Sequence, residues 1–99
     1  MYLIREIMFC KPGKVRPMVE KFQAMAKVTE RIGQRPMRIM TDVSTDRYWT
    51  IVAEMEVESL DGFMAMDMGA EAMKEFETIM QGYHDLIDYG RREIYRIEG

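Results

Sequence analysis

One histidine, one cysteine and one tryptophan occur among the 99 residues, so acid–base or nucleophilic chemistry has few places to reside. His84 is the lone imidazole, with an ordinary pKa near neutrality, which makes it the natural choice of general base. In the last turn of a helix the same residue would instead complement the dipole and the free carbonyls. Cys10 ends a first strand at the end of the domain where a second helix also finishes, and a Cys beside a His makes an activated thiolate. A lone Cys there serves equally well as a small buried hydrophobe. Met64-Ala65-Met66-Asp67-Met68 spaces three thioethers by two, a pattern suited to Cu(I); bracketed by Gly62 and Gly69, it also suits a flexible lid or interface segment. There is no Gly-rich phosphate loop, HExxH, serine elbow or paired-Cys motif, so no cofactor is expected, and no metal site is assigned beyond the copper alternative.

The chain is long enough for one domain, residues 1–99, and too short for two. Its 14 basic and 17 acidic residues are interleaved, giving a net charge of −3 without the basic patch that nucleic-acid binding requires. The longest uncharged stretch is residues 78–84, far short of the roughly 20 apolar residues that cross a bilayer. The first residues lack the basic start and apolar core of a secretory signal, and a single Cys forms no internal disulfide, so a cytoplasmic location is expected. Twelve Met stand against three Leu (Leu3, Leu60 and Leu86), so most Met fill ordinary Leu positions; there is no Asn.

These residues need elements to hold them. Tyr2 to Cys10 is rich in Ile, Phe and Tyr and closes on Lys11-Pro12-Gly13-Lys14, a strand and a turn. Val15, Met18, Val19, Phe22, Met25, Ala26, Thr29 and Ile32 then recur at helical spacing, with Pro17 in the first turn and Gly33 as a left-handed cap. Met37 to Val43 and Tyr48 to Val57 read as a hairpin joined through Ser44–Arg47. Ser59 is a helix N-cap, Ala70 to about Leu86 a second long helix, and Tyr89 to Ile97 a last strand. In the third strand Trp49, Ile51, Ala53, Met55 and Val57 share one side by alternation. The order strand, helix, strand, strand, helix, strand predicts an α+β fold, a ferredoxin-like βαββαβ plait whose antiparallel sheet carries both helices on one face. Strand one is apolar on both faces, Leu3, Ile7 and Phe9 against Tyr2, Ile4, Met8 and Cys10. The open face therefore calls for a second copy and a homodimer joined sheet to sheet.

Ile4-Arg5-Glu6 in strand one, Lys11-Pro12-Gly13-Lys14, Ile51 to Leu60 and Arg91-Arg92-Glu93-Ile94 together resemble the dimeric α/β-barrel superfamily, within it the NIPSNAP-like and antibiotic-biosynthesis-monooxygenase-like domains. The resemblance covers nearly the whole chain and implies a dimeric α/β barrel with a small-molecule pocket. NIPSNAP-like members often carry His and Trp in the third strand, where this chain has Ala53 and Met55. The Asn, Trp and His constellation of the monooxygenase relatives is not present, since the chain has no Asn.

Between helices and sheet, Trp49, Tyr83, Phe22, Met25 and Phe76 are expected either to fill the core or to line a pocket for a small apolar or aromatic ligand, with His84 at its mouth. Arg5, Glu6, Glu54, Glu56, Arg91 and Arg92 are expected to pair across strands, setting register and the dimer contact. The expected function is small-molecule binding, with cofactor-free oxidation or isomerisation of an aromatic or polyketide-like substrate by His84 as its catalytic form. The alternatives are a non-catalytic ligand-binding or interaction module and, third, a Cu(I) carrier.

Overall fold

The computed structural model describes residues 1–64 and 69–99. Strand β1 (Tyr2–Cys10) leads to helix α1 (Val15–Arg31), then strands β2 (Arg38–Thr41) and β3 (Thr50–Val57). A short helix α2 (Leu60–Met64), helix α3 (Gly69–Met80), a 3-10 turn at Tyr83–Asp85 and strand β4 (Ile87–Arg96) complete the chain. The strands pair in the order β2-β3-β1-β4, every pair antiparallel. This is the α+β ferredoxin-like plait that the element order predicts.

Local chemistry accounts for the boundaries. Gly33 ends α1 at φ 85°, and Gln34 N–H returns to Thr29 C=O at 2.9 Å, closing the left-handed cap on carbonyls the helix leaves free. Ser59 caps α2 through its Oγ, which accepts from Gly62 N–H at 3.1 Å. The Lys21 ammonium of α1 donates to the carbonyls of Ile79 and Gln81, each at 2.8 Å, so one helix satisfies the C-terminal end of the other. The core that α1 buries is Met18, Val19 and Phe22 against Cys10, Ile51 and Ala53 of the sheet. Met80 and Tyr83 pack onto its edge.

Two expected boundaries are corrected. The second long helix stops at Met80 rather than running to Leu86, because Gly82 adopts φ 80° and the chain re-enters a separate 3-10 turn. His84 therefore does not sit in the last turn of α3. The hairpin connection is also longer than four residues. β2 ends at Thr41 and β3 begins at Thr50, the loop being closed by Asp42, which accepts from Thr50 N–H at 2.9 Å. Trp49 precedes the strand at φ 64°, a costly backbone for a bulky residue, and the turn takes it out of the alternation that would have aimed it with Ile51.

Register divides the sheet into two faces, because residues directly opposed across antiparallel strands point the same way. Ile4, Glu6 and Met8 lie opposite Met55, Ala53 and Ile51, on the side the helices cover. Leu3, Arg5, Ile7 and Phe9 belong to the open side, with Glu54 and Val52 of β3 and Tyr89, Arg91, Glu93 and Tyr95 of β4.

Candidate functional site

The helix-covered face holds a half-enclosed cavity of about 140 Å³. Met25 of α1, Phe63 of α2, Phe76 of α3 and Ile4, Ala53 and Met55 of the sheet give it an almost wholly apolar wall. Glu6 lies on its margin as the break in β1's otherwise apolar covered side. Arg92, directly opposite Glu6 on β4, donates from Nε to Glu6 Oε1. The guanidinium also stands 5.4 Å over the Phe63 ring, a cation–π contact that ties α2 to the sheet.

Glu6 and Arg92 line an open cleft of about 500 Å³ together with Met8, Tyr83, His84 and Asp88. The Tyr83 and His84 rings lie 4.0 Å apart at 34°, a tilted stack. His84 is exposed and has no hydrogen-bond or ion-pair partner among the described residues. A bulge shapes the cleft floor: β1 steps from Phe9 to Cys10 while β4 steps from Tyr89 to Ile87, leaving Asp88 unpaired in the ladder. Gly90 beside it lets Met8 lie close, since a Cβ there would fall 2.5 Å from Met8 Sδ and 3.1 Å from the Ile7 carbonyl, and the Met8 side chain would have to shift.

Of the residues that the sequence singled out, Met25 and Phe76 meet in the cavity, and Tyr83 and His84 meet in the cleft. Phe22 is a core residue, 3% exposed, and lines neither. Trp49 lines neither and is 43% exposed, a consequence of the turn it occupies. Cys10 is fully buried in the apolar core, and burial first, then Asp88 and Asp42, pushes its thiol above the ordinary value. It is a small hydrophobe and not an activated thiolate. Met64 is exposed; Met66 and Met68, the rest of the copper pattern, lie outside the described residues. Among the described residues no group of His, Cys, Asp and Glu could hold a metal ion.

Glu6 and Arg92 were legible as a cross-strand pair, but their place beside a cavity was not. The available signal was Glu6 alone, a carboxylate in the row Tyr2, Ile4, Met8 and Cys10. Phe63, also missed, follows the Ser59 cap at the spacing that turns one helical face toward the sheet.

The open face is built differently. Arg38, Glu54, Arg5 and Glu93 form one row across β2, β3, β1 and β4, with Arg38 to Glu54 at 3.0 Å, Arg5 to Glu54 at 2.8 Å and Arg5 to Glu93 at 3.3 Å. Phe9, only 2% exposed, is covered by the chain itself: Tyr89 lies at 4.7 Å between ring centroids, and the guanidinium groups of Arg47 and Arg91 stand at 5.0 and 5.6 Å.

A four-stranded antiparallel plait with a small apolar cavity beneath its helices defines a class of compact α+β domain, and solved structures share it. An uncharacterized NIPSNAP domain protein from Burkholderia xenovorans superposes with a TM-score of 0.78 at 10% identity, over 100% of this chain and 96% of that one. A NIPSNAP family protein of unknown function from Agrobacterium tumefaciens gives 0.75 at 15% identity, over 98% and 87%. A protein provisionally assigned as an antibiotic biosynthesis monooxygenase, from Nitrosomonas europaea, gives 0.72 at 15% identity over the full length of both chains. The fold is therefore that of the NIPSNAP-like and antibiotic-biosynthesis-monooxygenase-like domains, as the sequence resemblance implies. No protein-family profile and no curated protein matches the sequence. No helix among the described residues is long and apolar enough to cross a membrane.

Proposed function

We propose that the protein is a cytoplasmic small-molecule-binding homodimer, taking one apolar or aromatic ring between its helices and sheet and a second copy of itself on the open sheet face. The cavity of about 140 Å³ carries the ligand reading. An apolar cavity of roughly 150 Å³ holds a benzene molecule, so one six-membered ring is the matching occupant. Toluene is expected to raise the melting temperature of the protein but not of Ala53→Leu, whose larger side chain fills the space. A flat response of the unsubstituted protein overturns the reading.

The dimer reading rests on the charge row. Its signs alternate, positive on β2, negative on β3, positive on β1, negative on β4. A two-fold axis parallel to the strands reverses the order, setting Arg38 against Glu93 of the second copy and Glu54 against Arg5, complementary at all four positions. An axis across the strands would set like on like. Light scattering at micromolar concentration is expected to give twice the 11.7 kDa chain mass. A mass near one chain overturns the dimer.

Binding without turnover is the form favoured by an exposed His84 that has no hydrogen-bond or ion-pair partner among the described residues, since a general base works best when a second group orients it. The catalytic form, cofactor-free oxidation or isomerisation of an aromatic or polyketide-like substrate, takes His84 as base at the cleft and has the assignment of the Nitrosomonas neighbour in its favour. Turnover that His84→Ala abolishes in a folded protein would establish that form; turnover that survives the substitution would remove it.

A further inference from the structure

The wall of the covered cavity includes three residues whose side chains can hydrogen-bond, and each is committed elsewhere. Thr29 is 3% exposed, and its hydroxyl donates to the Ala26 carbonyl one turn back along α1, at 2.9 Å. Glu54 turns its carboxylate to the open face of the sheet, where one oxygen meets Arg5 at 2.8 Å and the other Arg38 at 3.0 Å. Glu6 is held by Arg92, a residue of the open cleft and not of the cavity. The wall exposes almost no polar surface, so neither the spare lone pairs of Thr29 nor the second oxygen of Glu6 is presented to an occupant.

This decides what the cavity turns away. A hydroxyl that leaves water for such a wall gives up its hydrogen bonds and finds none in exchange, a cost that a hydrogen, methyl or fluorine at the same position does not incur. One ring fills about 140 Å³, which leaves no space for a water molecule to accompany the hydroxyl. The thioethers of Met25, Met37 and Met55 and the rings of Phe63 and Phe76 are soft, polarisable surroundings for the edges and faces of an aromatic ring. Tyr83 and His84 line the cleft and not the cavity, and Glu6 is the one residue common to both. A ring held beneath the helices therefore meets neither the imidazole nor the phenol.

We infer that the cavity is selective for a single aromatic ring without polar substituents, bearing only hydrogen, methyl or halogen, and that it rejects phenols, quinols and benzoates. This rests on the cavity being the ligand site, and the probes separate the two claims. An apolar pocket discriminates against an added hydroxyl by up to about a hundredfold. 1,4-Difluorobenzene and hydroquinone carry substituents of similar size and opposite hydrogen-bonding character. Whichever end of hydroquinone enters first, a hydroxyl meets the wall. In NMR titrations of the full chain under argon, the dissociation constant of 1,4-difluorobenzene should be lower by roughly tenfold or more.

Ala53→Ser puts a hydroxyl on the wall at nearly unchanged volume and should narrow that difference to less than about threefold, since the quinol then has a partner. Met25→Gln offers an amide from α1 and reads the same difference should the first variant fail to fold. Equal binding of the two probes, tighter binding of hydroquinone, or a difference that survives both substitutions overturns the inference and leaves the cavity reading standing. Failure of toluene and of both probes to bind overturns the two together.

Discussion

The two faces of β1 are buried to similar degrees by different materials. On the covered side Cys10 packs with Met18, Val19 and Phe22 of α1, and Ile4, 1% exposed, lines the cavity with Met25, Phe63 and Phe76, with Glu6 as the interruption. On the open side Ile7 and Phe9 are 5% and 2% exposed, yet what lies over Phe9 is arginine and tyrosine from the same chain. A strand that reads as apolar on both sides does not by itself require a second subunit, because long cationic side chains lay their stems and planar heads over apolar surface. The case for pairing comes instead from the order of charges across the sheet. One face thus holds an apolar cavity beneath the helices, and the other a polar lattice with apolar fill.

The strongest way to break that contrast is to empty the covered core. Phe22→Ala should lower stability by about 3–5 kcal/mol in urea unfolding, the cost of a lost ring and the cavity it leaves. A much smaller loss would mean that the helices pack loosely and that the cavity is not a formed site. On the open face, Arg5→Glu places three carboxylates in sequence at the centre of the row. It should raise the dimer dissociation constant by at least tenfold in sedimentation equilibrium while the chain stays folded, and an unchanged constant would detach the row from assembly.

Smaller effects sharpen the picture. Lys21→Ala leaves the Ile79 and Gln81 carbonyls without their ammonium and should cost about 1 kcal/mol, with faster hydrogen exchange confined to the end of α3 and the turn that carries His84. Cys10 should be the least conspicuous. Its raised pKa means that the folded state favours the neutral thiol, so its contribution is full below the ordinary thiol range and is lost as pH rises through the raised value. Ellman's reagent should report no accessible thiol in the native protein at pH 8 and one after denaturation; rapid native labelling would contradict the burial.

Much of this was legible in the sequence. Element order, the caps at Gly33 and Ser59, and the alternation of β1 follow from local chemistry, and they suffice for the plait. The failures share a physical cause. The spacing of Met73, Phe76, Met80 and Tyr83 continues a helical stripe past Gly82, but a left-handed glycine ends the helix whatever the stripe does. Trp49 fits the alternation of β3, but its conformation is set by the Asp42–Thr50 closure of a loop whose length periodicity does not report. The cavity depends on which side of the sheet Glu6 faces and on where α2 places Phe63, and both are tertiary facts. Pair chemistry was visible and its location was not.

The methionines supply the most direct test of the contrast between the faces. Met25, Met37 and Met55 line the covered cavity, whereas Met40, opposite Val52, lies on the open face. With the methyl groups labelled with carbon-13 and assigned, titration with toluene should move the resonances of Met25, Met37 and Met55 along one saturating curve and leave Met40 in place. Movement of Met40 with the other three fixed would contradict the account.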